Sequence, residues 1–174
     1  MAKGRRAGTA RSSGSQPAQP LAIFTRDTAG RGNWGHPGLA KLLKDVSAEE
    51  ASWAPGGDAH SLWEEVNHII YWSRFTLEHL EDRGKSTKQA WPAGEGGEEG
   101  WHRAVAQASR LHAALIRRVG GLERKALSTR LARTRYTYDQ LILGCAAHIS
   151  YHAGRIALLR RLYRHAHQPA RPAV

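Results

Sequence analysis

The sequence predicts an all-α fold, a four-helix up-down bundle, and three observations lead to this prediction. Apolar residues recur at helical spacing in four segments, stretches with glycine or proline separate these segments, and almost no stretch alternates as a strand would. The connections suit antiparallel neighbours, as in up-down bundles. The chain has 174 residues, of which 41% are hydrophobic, so it is long enough for one domain with a core.

The first two helices have clear start signals. The first helix is predicted over residues 39–46, and one further turn opens at Ser47, which has the capping-box spacing to Glu50. The second helix begins at Ser61, where Glu64 stands three residues on and can reach back to the Ser61 amide. An apolar stripe at helical spacing follows, and glycine ends the helix.

The last two helices are equally periodic. The third is predicted over residues 101–119 and ends at the pair Gly120-Gly121. The fourth runs from Thr137, which has the capping-box spacing to Gln140, to about residue 164. Its core-facing positions step by four and three residues, which is the seam of a helical bundle.

The domain boundaries follow composition. Residues 1–20 are predicted to be a disordered basic tail, residues 21–167 a helical bundle domain, and residues 168–174 a flexible C-terminus. Residues 84–99 form a long loop, a candidate lid over whatever the bundle holds, with a plain solvent-exposed loop as the alternative.

Charge is unevenly distributed along the chain. The net charge is +11, and residues 110–174 carry thirteen basic and two acidic side chains. Such an excess can attract a nucleic acid or an anionic substrate, while the simpler alternative is a solvated basic surface. No motif that reads RNA or DNA accompanies the basic residues, so nucleic-acid binding is the weaker hypothesis.

The sequence also bears on cellular location. No apolar run approaches the roughly 20 residues needed to cross a bilayer, and no apolar segment follows the basic N-terminus as in a secretory signal. The one cysteine, Cys145, excludes an intramolecular disulfide framework and fits a reducing compartment. These observations predict a cytoplasmic protein without a membrane partner.

Two histidines occupy the middle of the last helix's seam. His148 and His152 are one turn apart on one face, so both imidazoles can reach one metal ion. A third histidine, His68, lies at the edge of the apolar stripe of the second helix. Because an unpaired buried imidazole costs about 1–3 kcal/mol, these histidines need partners. A shared metal is one solution; ordinary core histidines bonded to Glu65 or Tyr151 are the other.

Two familiar metal chemistries do not fit this pattern. Ile149 stands where a zincin helix needs its general-base glutamate, which argues against that type of metalloprotease. Acidic residues do not cluster on several helices, which argues against a ferritin-like di-iron site. A mononuclear three-histidine site with open positions remains, the layout of a catalytic metal site.

Two segments, HSLWEEVNHIIYWSRFTLEHL (60–80) and LGCAAHISYHAGRIALLRRL (143–162), carry a family resemblance. With His68-x-x-x-Trp72 in the first and His148-x-x-x-His152-x-Gly154 in the second, the chain resembles the DinB-like superfamily of helical-bundle metalloproteins. The resemblance implies a four-helix bundle that binds a divalent metal on the three histidines, zinc or nickel first and iron or manganese as alternatives. Family activities include thiol-dependent S-transferases, an isomerase that uses a sugar-thiol cofactor, and metal-dependent hydrolases.

Four further residues receive predictions. Arg155 replaces the glutamine of many members and is a candidate for binding an anionic substrate or thiol cofactor, unless it points to solvent. Glu65 is the nearest acidic candidate for orienting a ligand or moving a proton, with a surface carboxylate as the alternative. Cys145 is read mainly as a core thiol, with a fourth ligand or a redox-sensitive residue as alternatives. His112 is assigned to packing.

The predicted function is a divalent-metal-dependent enzyme, a thiol-dependent S-transferase or a hydrolase. A bound thiol would be deprotonated by the metal in the first case, and a bound water in the second. The predicted partners are a small substrate, anionic or thiol-containing, a low-molecular-weight thiol cofactor, and a second copy of the chain in a homodimer. The alternatives are a basic nucleic-acid-binding protein and a non-catalytic metal-binding bundle.

Overall fold

The computed structural model describes residues 19–33, 36–84 and 91–168. Most of the predicted tail at 1–20, most of the predicted C-terminus at 168–174 and part of the predicted loop at 84–99 lie outside these residues. Within the described part of the chain, no helix has both the length and the apolar character needed to cross a membrane.

The described residues are mainly helical, which confirms the all-α prediction. The helices are α1 (Gln19–Arg26, continued as a π-helical turn Asp27–Arg31), α2 (Leu39–Leu42), α3 (Ala48–Ser52), α4 (Leu62–Leu80), α5 (Gly97–Gly120) and α6 (Tyr138–Ala166). A 3-10 turn (Arg124–Ala126) precedes α6, and two two-residue strands, β1 (Gly32–Asn33) and β2 (His36–Pro37), pair antiparallel between α1 and α2.

The start signals in the sequence correspond to real caps. Ser61 accepts a hydrogen bond from the Glu64 amide, and the Glu64 carboxylate accepts one from the Ser61 amide at 2.8 Å. Thr137 and Gln140 form the same reciprocal box at the start of α6. The Ser47 hydroxyl accepts from the Glu50 amide at 3.1 Å and begins α3. Local sequence therefore sets these three helix starts.

One prediction about the helices is wrong. The segment at 39–46 forms only the single turn α2, because the chain leaves the helical conformation at Asp45, whose φ is +61°. The structure has a further helical segment, α1 with its π-helical turn, where the sequence analysis predicts no helix. The third predicted helix also begins earlier than expected, at Gly97.

The long helices form a ring around the core. α4 packs against α5 and α6, and α1 packs against the same two helices from the other side. This arrangement places α5 and α6 across the bundle from each other. The core between them consists of side chains that are 0–1% exposed, among them Val66, Ile69, Trp101, Leu115, Val119, Ile149 and Ile156.

Arginines of the basic C-terminal third bind the chain's own backbone. The Arg160 guanidinium donates to the Glu50 carboxylate and to the Leu42 carbonyl, each at 2.7 Å, and so joins α6 to α2 and α3. Arg118 donates through Nε and Nη2 to the Leu80 carbonyl at the end of α4. Part of the positive charge that suggested an anionic partner therefore serves the fold.

The α4 cap gives a direct test of local stabilisation. We expect Ser61→Ala to lower the free energy of unfolding by about 1 kcal/mol, because the Ser61 hydroxyl accepts from the Glu64 amide and donates to the Glu64 carboxylate. Chemical denaturation monitored by circular dichroism measures the change. Ser109→Ala, on the exposed side of α5, is the matched control and should stay within about 0.5 kcal/mol of the wild type. Equal effects of the two substitutions would contradict the assignment.

Candidate metal centre

Helix α4 contributes two buried polar side chains to the groove between α4 and α6. Glu65 is 0% exposed and His68 is 2% exposed. They are three residues apart, so they share one face of the helix. The alternative of a surface carboxylate for Glu65 is therefore wrong, because this side chain lies entirely inside the bundle.

Helix α6 contributes the two other histidines from the opposite side of the groove. The His148 Nε2 lies 3.2 Å from the His68 Nε2 and 3.0 Å from the His152 Nε2. All three ligand atoms lie within 4.8 Å of one another. Two helices that run antiparallel thus bring His68 to the pair His148 and His152, which lies 80 or more residues further along the chain.

The chemistry of this donor set fits a divalent metal ion. Neutral imidazoles each carry one proton, and the single Nε2 of His148 cannot donate to both neighbouring Nε2 atoms, so N–H···N hydrogen bonds alone do not satisfy the three rings. In a tetrahedral zinc site with Zn–N of about 2.0–2.1 Å, ligand nitrogens are about 3.3 Å apart. The two Nε2–Nε2 distances of 3.2 Å and 3.0 Å are close to that spacing, so little movement separates this arrangement from a coordination site.

Glu65 fixes the orientation of one of these rings. Its Oε2 lies 2.5 Å from the His152 Nδ1, and its Oε1 accepts a hydrogen bond from the Arg155 Nε at 2.7 Å. Because a carboxylate accepts, the His152 proton lies on Nδ1 and the Nε2 lone pair faces the other histidines. Burial alone would raise the pKa of Glu65, but the hydrogen bonds from His152 and Arg155 and the charge of the Arg155 guanidinium together hold that pKa below its usual value.

His148 is held in its neutral form. Burial, together with the neighbouring His152 and His68, lowers the pKa of His148 to about 4. Its Nδ1 is buried and has no hydrogen-bond partner among the described residues. The polar contacts of this ring are thus made through Nε2, the atom that faces the other two histidines. A neutral imidazole is the form that binds metal.

A tryptophan from the loop before α5 covers the histidines. The Trp91 ring stacks on His68 with centroids 3.7 Å apart and, on its other face, on His60 at 3.8 Å. The Asn67 amide donates to the carbonyls of Pro92 and Ala93 and fastens this part of the loop to α4. This arrangement favours the lid interpretation over a plain solvent loop, although residues 85–90 of the loop lie outside the described chain.

A polar cleft of about 480 Å³ opens beside the three histidines. Arg155 and Tyr151 line it, and the Arg155 Nη1 donates to the Tyr151 hydroxyl at 3.2 Å. The Arg155 side chain is 39% exposed and also pairs with Glu65, so its charge reaches both the buried carboxylate and the cleft. The alternative in which Arg155 points only to solvent does not describe this geometry.

Sequence reasoning assigned no role to His60 or Trp91, and both belong to this cleft. His60 directly precedes Ser61, the N-cap of α4, so the capping signal in the sequence places His60 at the N-terminal end of that helix. Trp91 belongs to the Trp-Pro dipeptide that interrupts an otherwise small and polar loop. An aromatic residue in such a loop is the signal that could have marked a covering side chain.

Cys145 and His112 lie apart from the three histidines. The Cys145 thiol is buried against the hydroxyls of Ser73 and Thr76, and it does not belong to the group of potential ligands that converges among the described residues. His112 lies 3.2 Å from the Ser73 hydroxyl, and burial lowers its pKa to about 4. These surroundings agree with the predicted core thiol and with the predicted packing histidine.

The comparison with known families agrees with the resemblance in the sequence. The DinB superfamily matches residues 35–156, which is more than half of the chain. The protein therefore belongs to the DinB superfamily. No curated protein and no solved structure matches the chain significantly.

The surroundings of the Cys145 thiol predict how reactive it is. Burial raises the pKa of Cys145 to about 11, despite hydrogen bonds to Thr76 and Ser73 that oppose the shift. At pH 8 only about one thiol in a thousand is then ionised, and the thiolate is the reactive form. We expect Ellman's reagent to label Cys145 slowly in the folded protein and rapidly only after the protein unfolds. Rapid labelling of the folded protein would contradict the buried-thiol assignment and revive the redox-sensitive alternative.

Proposed function

We propose that this protein binds one divalent metal ion through His68, His148 and His152. With this ion it acts as an enzyme, either a thiol-dependent S-transferase or a hydrolase. The observation that carries the proposal is the convergence of the three Nε2 atoms, with Glu65 hydrogen-bonded to the far nitrogen of His152. Zinc or nickel is the preferred ion, because imidazole nitrogen ligands suit both; iron and manganese are the alternatives.

Glu65 acts in this proposal as a positioning residue. Both of its oxygens are engaged, one by His152 and the other by Arg155. A carboxylate held in this way is poorly placed to take a proton from a substrate. It is well placed to keep the His152 Nε2 lone pair directed at the metal position and to raise the basicity of that ligand. This role replaces the proton transfer that its sequence position first suggested.

The residues that line the cleft have different roles in this proposal. Arg155 and Tyr151 present hydrogen-bond donors to an anionic group of a substrate or thiol cofactor. Trp91 covers His68 and limits access of water. A bound divalent ion would supply Lewis acidity, which lowers the pKa of a thiol or a water molecule at the site. The chain's own residues then orient the reactants and shield them.

The two reaction classes can be separated with one preparation. The metal-loaded protein is incubated with an electrophilic substrate, with and without a low-molecular-weight thiol. Product that requires the thiol identifies a transferase, and product formed with water alone identifies a hydrolase. Turnover by neither route across a broad substrate panel would favour the non-catalytic metal-binding bundle.

Metal content is the first quantity to measure. We expect about one divalent ion per chain after purification without a histidine tag, measured by inductively coupled plasma mass spectrometry. His148→Ala should lose the ion, because it removes the ligand whose Nε2 contacts both other ring nitrogens. His102→Ala, at an exposed histidine of α5, is the matched control and should retain it. Metal-free wild-type protein that also fails to bind added zinc or nickel would overturn the proposal.

The role of Glu65 is tested by a nearly isosteric change. We expect Glu65→Gln to weaken metal affinity about 10–100-fold, because the amide is a weaker acceptor for the His152 Nδ1–H. Competition with a chromogenic chelator measures the affinity. Glu78→Gln on the same helix is the control.

Thermal unfolding of the metal-free variants then separates positioning from a general loss of stability. A positioning role predicts that the affinity difference persists under conditions where both variants are fully folded. Unchanged affinity in Glu65→Gln would refute this role while leaving the three-histidine site intact.

A further inference from the structure

A second cavity continues from the histidines along the groove between α4 and α6. It has a volume of about 390 Å³, within the usual range of small-molecule sites, about 300–1,000 Å³. Trp72 and Phe75 of α4 form one wall, and Leu141 and Gly144 of α6 form the other. Tyr136, which is 38% exposed, lies at the end remote from the histidines.

The cavity and the polar cleft meet at one residue. His148 lines both spaces. The Trp72 ring lies edge-on to both His148 and His68, with centroids 6.0 Å and 6.2 Å apart, and so extends the aromatic surface from the histidines into the cavity. A molecule whose polar end lies in the cleft can therefore extend past His148 without crossing the core of the bundle.

The lining of the two spaces differs in charge. The cleft contains Asp58 and Arg155, whereas none of the described residues that line the cavity is an aspartate, glutamate, lysine or arginine. Burial of a charged group in the cavity would be unfavourable, whereas an apolar group would gain roughly 25 cal/mol for each Å² removed from water.

Gly144 keeps this space open. Among the described residues, no atom beyond the adjoining residues and backbone of α6 lies within 4 Å of a Cβ built on Gly144, so the fold itself does not require glycine there. Glycine inside a helix costs about 1 kcal/mol relative to alanine, and α6 extends well beyond this position on both sides. The smallest side chain therefore occupies a position where a larger one would fit the helix and would fill the cavity.

We propose that this cavity binds the apolar part of the substrate, an aromatic or branched aliphatic group, while the reacting polar end lies at the three histidines. The inference rests on the proposed function for its link to the metal. It narrows the substrate class to molecules with a neutral hydrophobic group joined to a polar or anionic end. Free amino acids and small sugars without such a group are disfavoured.

Binding of 2-naphthol, a neutral bicyclic aromatic probe, tests the cavity. Isothermal titration calorimetry should detect saturable binding to the wild-type protein. We expect Gly144→Leu to weaken this binding at least about tenfold by filling the cavity. Gly144→Ala should retain binding, because a methyl group there meets none of the described side chains and takes up little of the cavity. Ala147→Leu adds the same side chain at an exposed position of α6 outside the lining and should bind as the wild type does.

Two further measurements keep the result interpretable. Circular dichroism confirms that each variant is folded, and Gly144→Met replaces Gly144→Leu if the leucine variant does not fold. Metal analysis shows whether the variants retain the ion. No binding of 2-naphthol to the wild type, or equal binding to the wild type and the filled variants, would overturn the proposal.

A further measurement distinguishes a failure of the hydrophobic site from a failure of the proposed metal-dependent function. Binding of 2-naphthol should persist after chelation of the metal and in His152→Ala, because His152 does not line the cavity. If the wild type binds 2-naphthol and takes up no metal, the hydrophobic site stands and its link to metal chemistry falls. If the protein binds metal and no 2-naphthol, the metal site stands and the proposed hydrophobic site is refuted.

Discussion

The buried carboxylate of Glu65 links the architecture of this protein to its candidate site. A fully desolvated carboxylate is costly unless hydrogen bonds and opposite charge compensate it. His152 and Arg155, both on α6, provide that compensation to a residue of α4. The pairing favours one register between the two helices, since a shift of one turn would leave the charge without partners. The same register brings His68 to His148, so one interaction serves both packing and the site.

The groove between α4 and α6 has two chemically distinct parts on either side of His148. On one side, the cleft carries charged and hydrogen-bonding groups under the Trp91 ring. On the other side is a cavity whose described lining is largely aromatic and aliphatic and includes no acidic residue, lysine or arginine. An ion between them would be accessible from the polar side and shielded on the apolar side. Such a division is typical of sites that orient a substrate by its two ends.

The basic character of the C-terminal third has a partly structural origin. Arg118 and Arg160 bind backbone carbonyls of other elements, and Arg155 pairs with Glu65. Guanidinium groups suit these positions because several donors in one plane can satisfy carbonyl and carboxylate oxygens together. A count of charges along the sequence cannot separate such internal arginines from those that face solvent. For this reason the composition overstates the case for a polyanionic partner.

The sequence by itself determined the helical class, the starts of α3, α4 and α6, and the three candidate ligands. These features depend on neighbours within a few residues: a capping side chain three residues from its partner, or two histidines one turn apart. One long helical segment lies at a different position from the one that the sequence predicts. At 39–46 the apolar spacing predicted a helix that the chain abandons at Asp45, whereas the helical segment at 19–31 is held by packing against α5 and α6.

Only the tertiary structure decided the environment of the candidate site. Sequence spacing could not bury Glu65, pair it with Arg155, or place the Trp91 ring between His60 and His68, because each contact joins residues far apart in the chain. The hydrophobic cavity is equally invisible in the sequence, since it is space left between two helices. Short-range hydrogen bonds and periodicity determine which segments are helical. The packing of those helices determines which side chains meet, and that meeting creates the site.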